Sequence, residues 1–147
     1  MPIGLIELPA QFLHTSEYRV QAQDINFADH LAAVRVLPIA IQAHASMLEN
    51  LGHDPETSEF GLIMASSQVD YLTEARLDDT LQIDIAVQIV NDKSFDFVFR
   101  IRDAETQSEV ARAKTRMLFY DYLMKKVVHT PAYFAQGIET LRHQYAA

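Results

Sequence analysis

The chain contains no cysteine. That excludes disulfides and thiolate metal sites, and a reducing cytoplasm is the compartment such a composition fits. Glycine and proline are also scarce, four and five residues out of 147. Flexible hinges and low-complexity linkers therefore have little to be built from. No apolar run approaches the roughly 18 residues that a membrane span needs. Met1–Ala10 is mildly apolar, contains two prolines and lacks a basic leader, so it reads as neither a signal peptide nor a span. Basic side chains are few: 12 Lys and Arg against 20 Asp and Glu, a formal net charge of −8. That balance argues against a nucleic-acid partner. A nucleophile elbow, a phosphate-binding glycine loop and a dinucleotide fingerprint are all missing, which leaves serine-hydrolase, kinase and dehydrogenase readings without support.

What is present suits one domain over residues 1–147. Some 49% of the residues are hydrophobic, enough for a core at this length. A first strand is expected at 14–22, a loop at 24–30 and a long helix at 31–51. Leu37, Ile41, Ala45, Leu48 and Leu51 supply that helix with an apolar stripe. Pro38 inside it marks a kink or a second start, and Gly52 stands where a C-terminal cap belongs. Further strands are expected at 60–74, 81–89, 95–101 and 109–121. The clearest carries Leu81, Ile83, Ile85, Val87 and Ile89 at alternate positions, the pattern of a half-buried strand. Phe95, Phe97, Phe99 and Ile101 repeat it. Pro131 opens a C-terminal helix at about 131–144. The order β-α-β-β-β-β-α predicts an α+β domain, with the helix lying on a curved antiparallel sheet. The sheet edge left over needs a cover, so a homodimer or a tetramer of dimers is expected.

Chemistry concentrates in Asp24-Ile25-Asn26-Phe27-Ala28-Asp29-His30-Leu31, just ahead of the long helix. Two acids, a carboxamide and an imidazole there adjoin backbone N–H groups that have no helical partner. Asp24 or His30 is a candidate base, and Asn26 a group that positions water or substrate. The structural alternative is an Asx-turn ahead of the helix, with Asp29 as an N-cap or surface acid. His44 falls between Ile41 and Leu48 and reads as a satisfied core histidine, or as a polar group of a substrate pocket. Ser67 and Tyr71 are candidates to line an acyl pocket. Nine of the twelve basic residues follow residue 92. Lys93, Arg112, Lys114 and Arg116 are candidates for phosphate contacts, and the last three share one strand face. The alternative is a solvated face paired with Asp84 and Asp96. The histidines show no metal-ligand spacing, so no metal is expected.

The order of several short segments resembles that of a known family. His30-Leu31 leads into a helix ending in Leu51-Gly52. Val69-Asp70-Tyr71, Asp79-Thr80-Leu81, Lys93-Ser94-Phe95 and Val110-Ala111-Arg112-Ala113-Lys114-Thr115 then follow in turn. Over residues 14–130 the chain resembles the hot-dog-fold acyl-CoA thioesterases of the 4-hydroxybenzoyl-CoA thioesterase type. The resemblance implies a hot-dog fold, a dimer, and hydrolysis of an acyl-CoA or acyl-carrier thioester near the helix N-terminus. It implies no cofactor beyond the coenzyme A of the substrate. Many members carry D-x-D-x-x-G-H at the helix mouth, with the second aspartate catalytic. Here that position is Asn26, the preceding acid is Asp24, Asp29 stands in place of the glycine, and His30 matches the histidine. Ala32 and Ala33 stand where many members have two asparagines. Other members place an acid on the helix, near Gln42 in this chain. The departures admit a second expectation, a degenerate member that binds acyl thioesters without cleaving them. A hot-dog enoyl-CoA hydratase ranks lower: it uses D-x-N-P-x-H, whereas here Phe27 replaces the proline and His30 comes one residue late.

Overall fold

The computed structural model describes residues 4–145; the first three residues of the N-terminal segment lie outside that range. Its elements are β1 (His14–Arg19), α1 (Ala33–Asn50), β2 (Gly61–Tyr71), β3 (Thr80–Ile89), β4 (Ser94–Asp103), β5 (Glu109–Asp121), β6 (Lys126–Val128) and α2 (Ala132–Tyr145). The fold is α+β: a curved six-stranded antiparallel sheet in the order β1-β3-β4-β5-β2, with β6 pairing to β5. β1 and β2, consecutive in sequence, therefore occupy opposite edges. The chain crosses between them as α1, and this crossing lays the helix over one face of the sheet.

The alternation read from the sequence decides which strand residues meet the helix. Leu81, Ile83, Ile85 and Val87 on β3 are buried, as are Phe95, Phe97, Phe99 and Ile101 on β4. Ile89, the last residue of the β3 series, is instead half-exposed. Ala111, Ala113, Thr115, Met117 and Phe119 on β5 complete the core face. The β3–β4 register pairs Ile85 with Phe99 and Val87 with Phe97, so branched and aromatic side chains stack across the ladder. α2 closes one end: Phe134 packs 4.8 Å from Phe95 and 5.1 Å from Phe119, ring centre to centre. It can approach because Gly137 has no side chain; a Cβ there would lie 3.1 Å from the Leu51 carbonyl oxygen.

α1 departs from expectation in its buried face. The helix buries Val36, Ile39, Ala40, Ala43, His44 and Met47. Of the predicted stripe only Leu51 is fully buried; Leu37 and Leu48 are intermediate, and Ile41 and Ala45 are exposed. Both sets recur every three or four residues, so periodicity alone admits either face. Pro38 neither breaks nor restarts the helix. It lies on the exposed side, where the Val34 carbonyl that loses its N–H donor can reach water. The C-terminus ends as expected. Gly52 adopts φ +80, with its N–H on the Glu49 carbonyl and the His53 N–H on the Leu48 carbonyl, a Schellman motif.

The outer sheet face is also covered. Ile6, Leu8 and Phe12 of the N-terminal segment pack on Ala86 and Val98, so β3 and β4 are buried on both sides at their centres. Asp84 and Asp96 lie on this face, buried to 2% exposure each. Asp84 is held by Arg100, Arg102 and Thr15.

His44 is a core histidine but not a satisfied one. It is 8% exposed and stacks 5.0 Å from the Phe97 ring, and its Nδ1 has no hydrogen-bond partner. Burial pushes its pKa down from 6.5 to about 4. Between those values the unfolded chain binds a proton that the folded chain does not, so stability falls as pH falls through that window. His14 and His53 are lowered by burial in the same direction. His44→Leu is expected to flatten the loss of stability between pH 6.5 and 4.5, by up to about 3 kcal/mol at the acid end. Urea unfolding of both proteins across that range measures the difference.

Candidate active site

The loop between β1 and α1 is organised from within. A 3-10 turn, Ala22–Asp24, follows β1 and was not expected from the sequence. Asp24 is fully buried. Its Oδ2 accepts from the Tyr18 hydroxyl at 2.5 Å and the Gln21 N–H at 2.9 Å, and its Oδ1 accepts from Arg35 Nε at 3.0 Å. Burial by itself would raise the Asp24 pKa, but the Tyr18, Gln21 and Arg35 donors outweigh it and hold the carboxyl below its ordinary value. Tyr18 is pushed up, by burial and by the same carboxylate. The Asp24 carbonyl also accepts the Ala32 N–H. This residue thus ties β1, the loop and the first turn of α1 together, and both its carboxylate oxygens are engaged.

Asn26 closes the next turn. Its Oδ1 accepts from the Ala28 N–H at 2.9 Å and the His30 N–H at 3.3 Å, and its own N–H donates to the His30 carbonyl. The Asx-turn reading therefore describes its carbonyl oxygen, while its amide nitrogen remains without an acceptor among the described residues. Asp29 sits inside this turn at φ +62, a left-handed conformation that aspartate tolerates. It is not the N-cap: that position is Ala32, which has no side chain to offer. The N–H groups of Ala33 and Val34 are consequently left without an acceptor among the described residues, at the positive end of the helix dipole.

A cleft of about 380 Å³ opens here, lined by Asn26, His30, Leu31, Ala33, Tyr71, Leu72, Thr73 and Glu74. Three of the residues singled out in the sequence, Asn26, His30 and Tyr71, meet in it. The Tyr71 hydroxyl donates to the Ala33 carbonyl at 3.2 Å. Backbone pairing brings in the segment after β2: the Leu31 N–H donates to the Ala75 carbonyl at 2.8 Å, and His30 forms a β-bridge with Arg76. This places Glu74 against His30, with Oε2 3.1 Å from Nε2, while Arg76 holds Oε1 at 3.1 Å. Glu74 was missed in the sequence. It falls inside the strand expected at 60–74, but that strand ends at Tyr71, and no spacing connects Glu74 to His30.

The remaining candidates lie elsewhere. His44 is in the core. Ser67 is exposed on β2, opposite Thr115 in register, and does not line the cleft. Arg112, Lys114 and Arg116 share the outer sheet face. Arg112 bonds Glu109 and the Ile6 carbonyl. Arg116 forks onto Asp96, with Lys114 at 3.7 Å from the same carboxylate. The expected partner Asp84 is instead taken by Arg100 and Arg102. Lys93 lies in the β3–β4 turn, at the strand ends remote from the cleft, about 27 Å along β4 from Ile101 at strand rise. Among the described residues no three His, Asp or Glu side chains converge to hold a metal ion, and no helix is long and apolar enough to cross a membrane.

Residues 20–138 match the thioesterase-like superfamily. The chain belongs to that superfamily. Solved structures share its fold. One is a 1,4-dihydroxy-2-naphthoyl-CoA thioesterase from Synechocystis, with a TM-score of 0.81 at 21% identity, covering 88% of this chain and 97% of that one. A hypothetical protein from Staphylococcus aureus in complex with CoA gives 0.80 at 14%, covering 95% and 89%. The probable thioesterase YbaW from Escherichia coli gives 0.74 at 20%, covering 86% and 97%. No curated protein matches. At these identities the likeness establishes the hot-dog fold of this superfamily member.

The Asp24 cluster is expected to hold the helix mouth in place. Asp24→Ala leaves Tyr18, the Gln21 N–H and Arg35 unpaired and should cost about 2–4 kcal/mol at pH 7. Because the native carboxyl pKa is depressed, the contribution is complete above the unfolded value near 3.9 and is lost as pH falls through the native one. The stability gap between the two proteins, followed by urea unfolding, should therefore narrow as pH falls below about 4.

Proposed function

We propose that the protein hydrolyses acyl-CoA or acyl-carrier thioesters in the cleft at the N-terminus of α1. The observation that carries this reading is the open first turn of the helix. Ala32 offers no cap, the Ala33 and Val34 N–H groups have no acceptor among the described residues, and Ala33 lines the cleft. Two N–H donors at a helix N-terminus suit the oxygen of a thioester carbonyl as it gains negative charge. They need no particular side chains, so the Ala32-Ala33 step is compatible with the role. Asn26 adds amide donors to the same cleft. Superfamily membership supports the reaction class, and the Staphylococcus aureus relative in complex with CoA supports a CoA thioester as ligand. The hydratase alternative loses ground, because both carboxylate oxygens of Asp24 are engaged by Tyr18 and Arg35, away from the His30 ring, which faces Glu74 at 3.1 Å. Asn26, standing where many thioesterases carry a catalytic aspartate, favours a second reading in which acyl thioesters bind without cleavage.

Thiol release from a panel of short, aromatic and long acyl-CoAs decides between the two. Turnover above background is expected for at least one. A folded protein that binds a non-hydrolysable acyl-CoA analogue in calorimetry, yet turns over none of the panel, would support the binding reading instead.

We also propose that the working form is a homodimer. Val34, Pro38, Ile41 and Ala45 form an exposed apolar stripe on α1, with Val34 at 81% exposure. β2 presents an edge without a strand partner among the described residues, and Phe27 of the loop before α1 is fully exposed. A stripe and an open edge are the features a partner covers. Ile41→Glu is expected to shift the protein to a monomer in light scattering; an unchanged dimer would exclude this face.

A further inference from the structure

We infer that His30 is the base of the proposed hydrolysis and that Glu74 is the residue that positions it. This inference rests on the hydrolytic reading above and supplies the carboxylate that the helix-mouth loop lacks at Asn26. Three observations carry it. The imidazole lines the cleft, and its Nε2 faces Glu74 Oε2 at 3.1 Å. Glu74 is itself oriented, because its other oxygen accepts from Arg76. The two residues meet through backbone, by the Leu31 N–H on the Ala75 carbonyl and the His30–Arg76 bridge, so their approach does not depend on the side-chain contact. Asp24 cannot substitute: it is fully buried and saturated by Tyr18, Gln21 and Arg35.

With the proton on Nε2, the nitrogen that faces Glu74, a neutral imidazole carries its lone pair on Nδ1. No hydrogen bond engages Nδ1 among the described residues. In the hydrolytic step a water oxygen forms a bond to the thioester carbonyl carbon while Nδ1 takes a proton from that water. The carbonyl electron pair moves to oxygen, facing the Ala33 and Val34 N–H groups. Collapse of this intermediate breaks the C–S bond, and the imidazolium returns its proton to the departing sulfur. The products are a carboxylic acid and a free thiol. Glu74 stabilises the imidazolium between the two proton transfers and fixes the tautomer throughout, the arrangement by which a carboxylate assists a histidine base in acyl transfer.

The pair is solvent-accessible, with side-chain exposures of 31% for His30 and 55% for Glu74. Exposed pairs of this kind add little to folding stability, so their removal is a test of chemistry. On the acyl-CoA that the wild type turns over best, Glu74→Ala is expected to lower kcat roughly 10- to 1000-fold with KM changed less than about twofold. Its melting temperature should stay within about 2 °C of wild type. Glu74→Asp should recover part of kcat, and His30→Ala should reduce it at least as far as Glu74→Ala. Retention of wild-type kcat by either alanine variant overturns the pair while leaving the hydrolytic reading intact. So does a loss that appears only in KM. If the folded wild type hydrolyses none of the panel, the hydrolytic reading fails and the pair falls with it.

Discussion

Packing of α1 against the sheet is the contact on which the other features depend. β1 and β2 are consecutive but lie at opposite edges, so the connection between them has to cross the whole sheet. It can do so only as an element that satisfies its own backbone and buries one face. Val36, Ile39, Ala40, Ala43 and Met47 provide that face against the phenylalanines of β4 and the aliphatics of β3. Deleting a side chain of this size from such a core costs several kcal/mol, about 2–5 for a large-to-small change. The crossing also sets where the helix begins, and hence where its unpaired N–H groups open.

The site follows from how that beginning is anchored. A buried carboxylate, Asp24, draws a tyrosine from β1, a backbone N–H of the turn and an arginine from the helix onto one point. Burying a charge is unfavourable unless it is paired and hydrogen-bonded. Here the donors are sufficient, and the carboxylate is held ionised. An acid that looks like chemistry in the sequence is thereby given over to structure. Asn26 divides its roles, with its carbonyl closing the turn and its amide left to the cleft. The carboxylate that stands beside His30 is instead Glu74, delivered by the segment between β2 and β3. That segment is held in place because it pairs its backbone with the loop.

Strand positions, the helix stop at Gly52 and the C-terminal helix were legible because each rests on local chemistry. Period-two alternation, a glycine able to adopt positive φ and a proline at a helix start are all visible over a few residues. The choice of helix face was not legible. Leu37, Ile41 and Ala45 recur with the same spacing as Val36, Ala40, Ala43 and Met47, and α1 is apolar on two sides. The three residues of β6 were too few to show a period. The cover over the outer sheet face depends on where residues 4–13 return, which no local pattern records. The basic stripe on β5 lies on one face as its pattern indicates, and of the two expected partners Asp96 is found there and Asp84 is not. Glu109 and Asp96 hold those cations, while Asp84 belongs to Arg100 and Arg102.

By itself the sequence determined the α+β class and the residue types gathered at the helix mouth, because hydrophobic period and capping chemistry act over short range. Only the tertiary structure decided what each of those residues does. Asp24 and His30 are six positions apart in one loop, yet one is sealed under Tyr18 and Arg35 and the other faces a cleft. The carboxylate beside His30 comes from a different part of the chain. Burial and long-range pairing, rather than residue identity, separate a structural acid from one that is free to act.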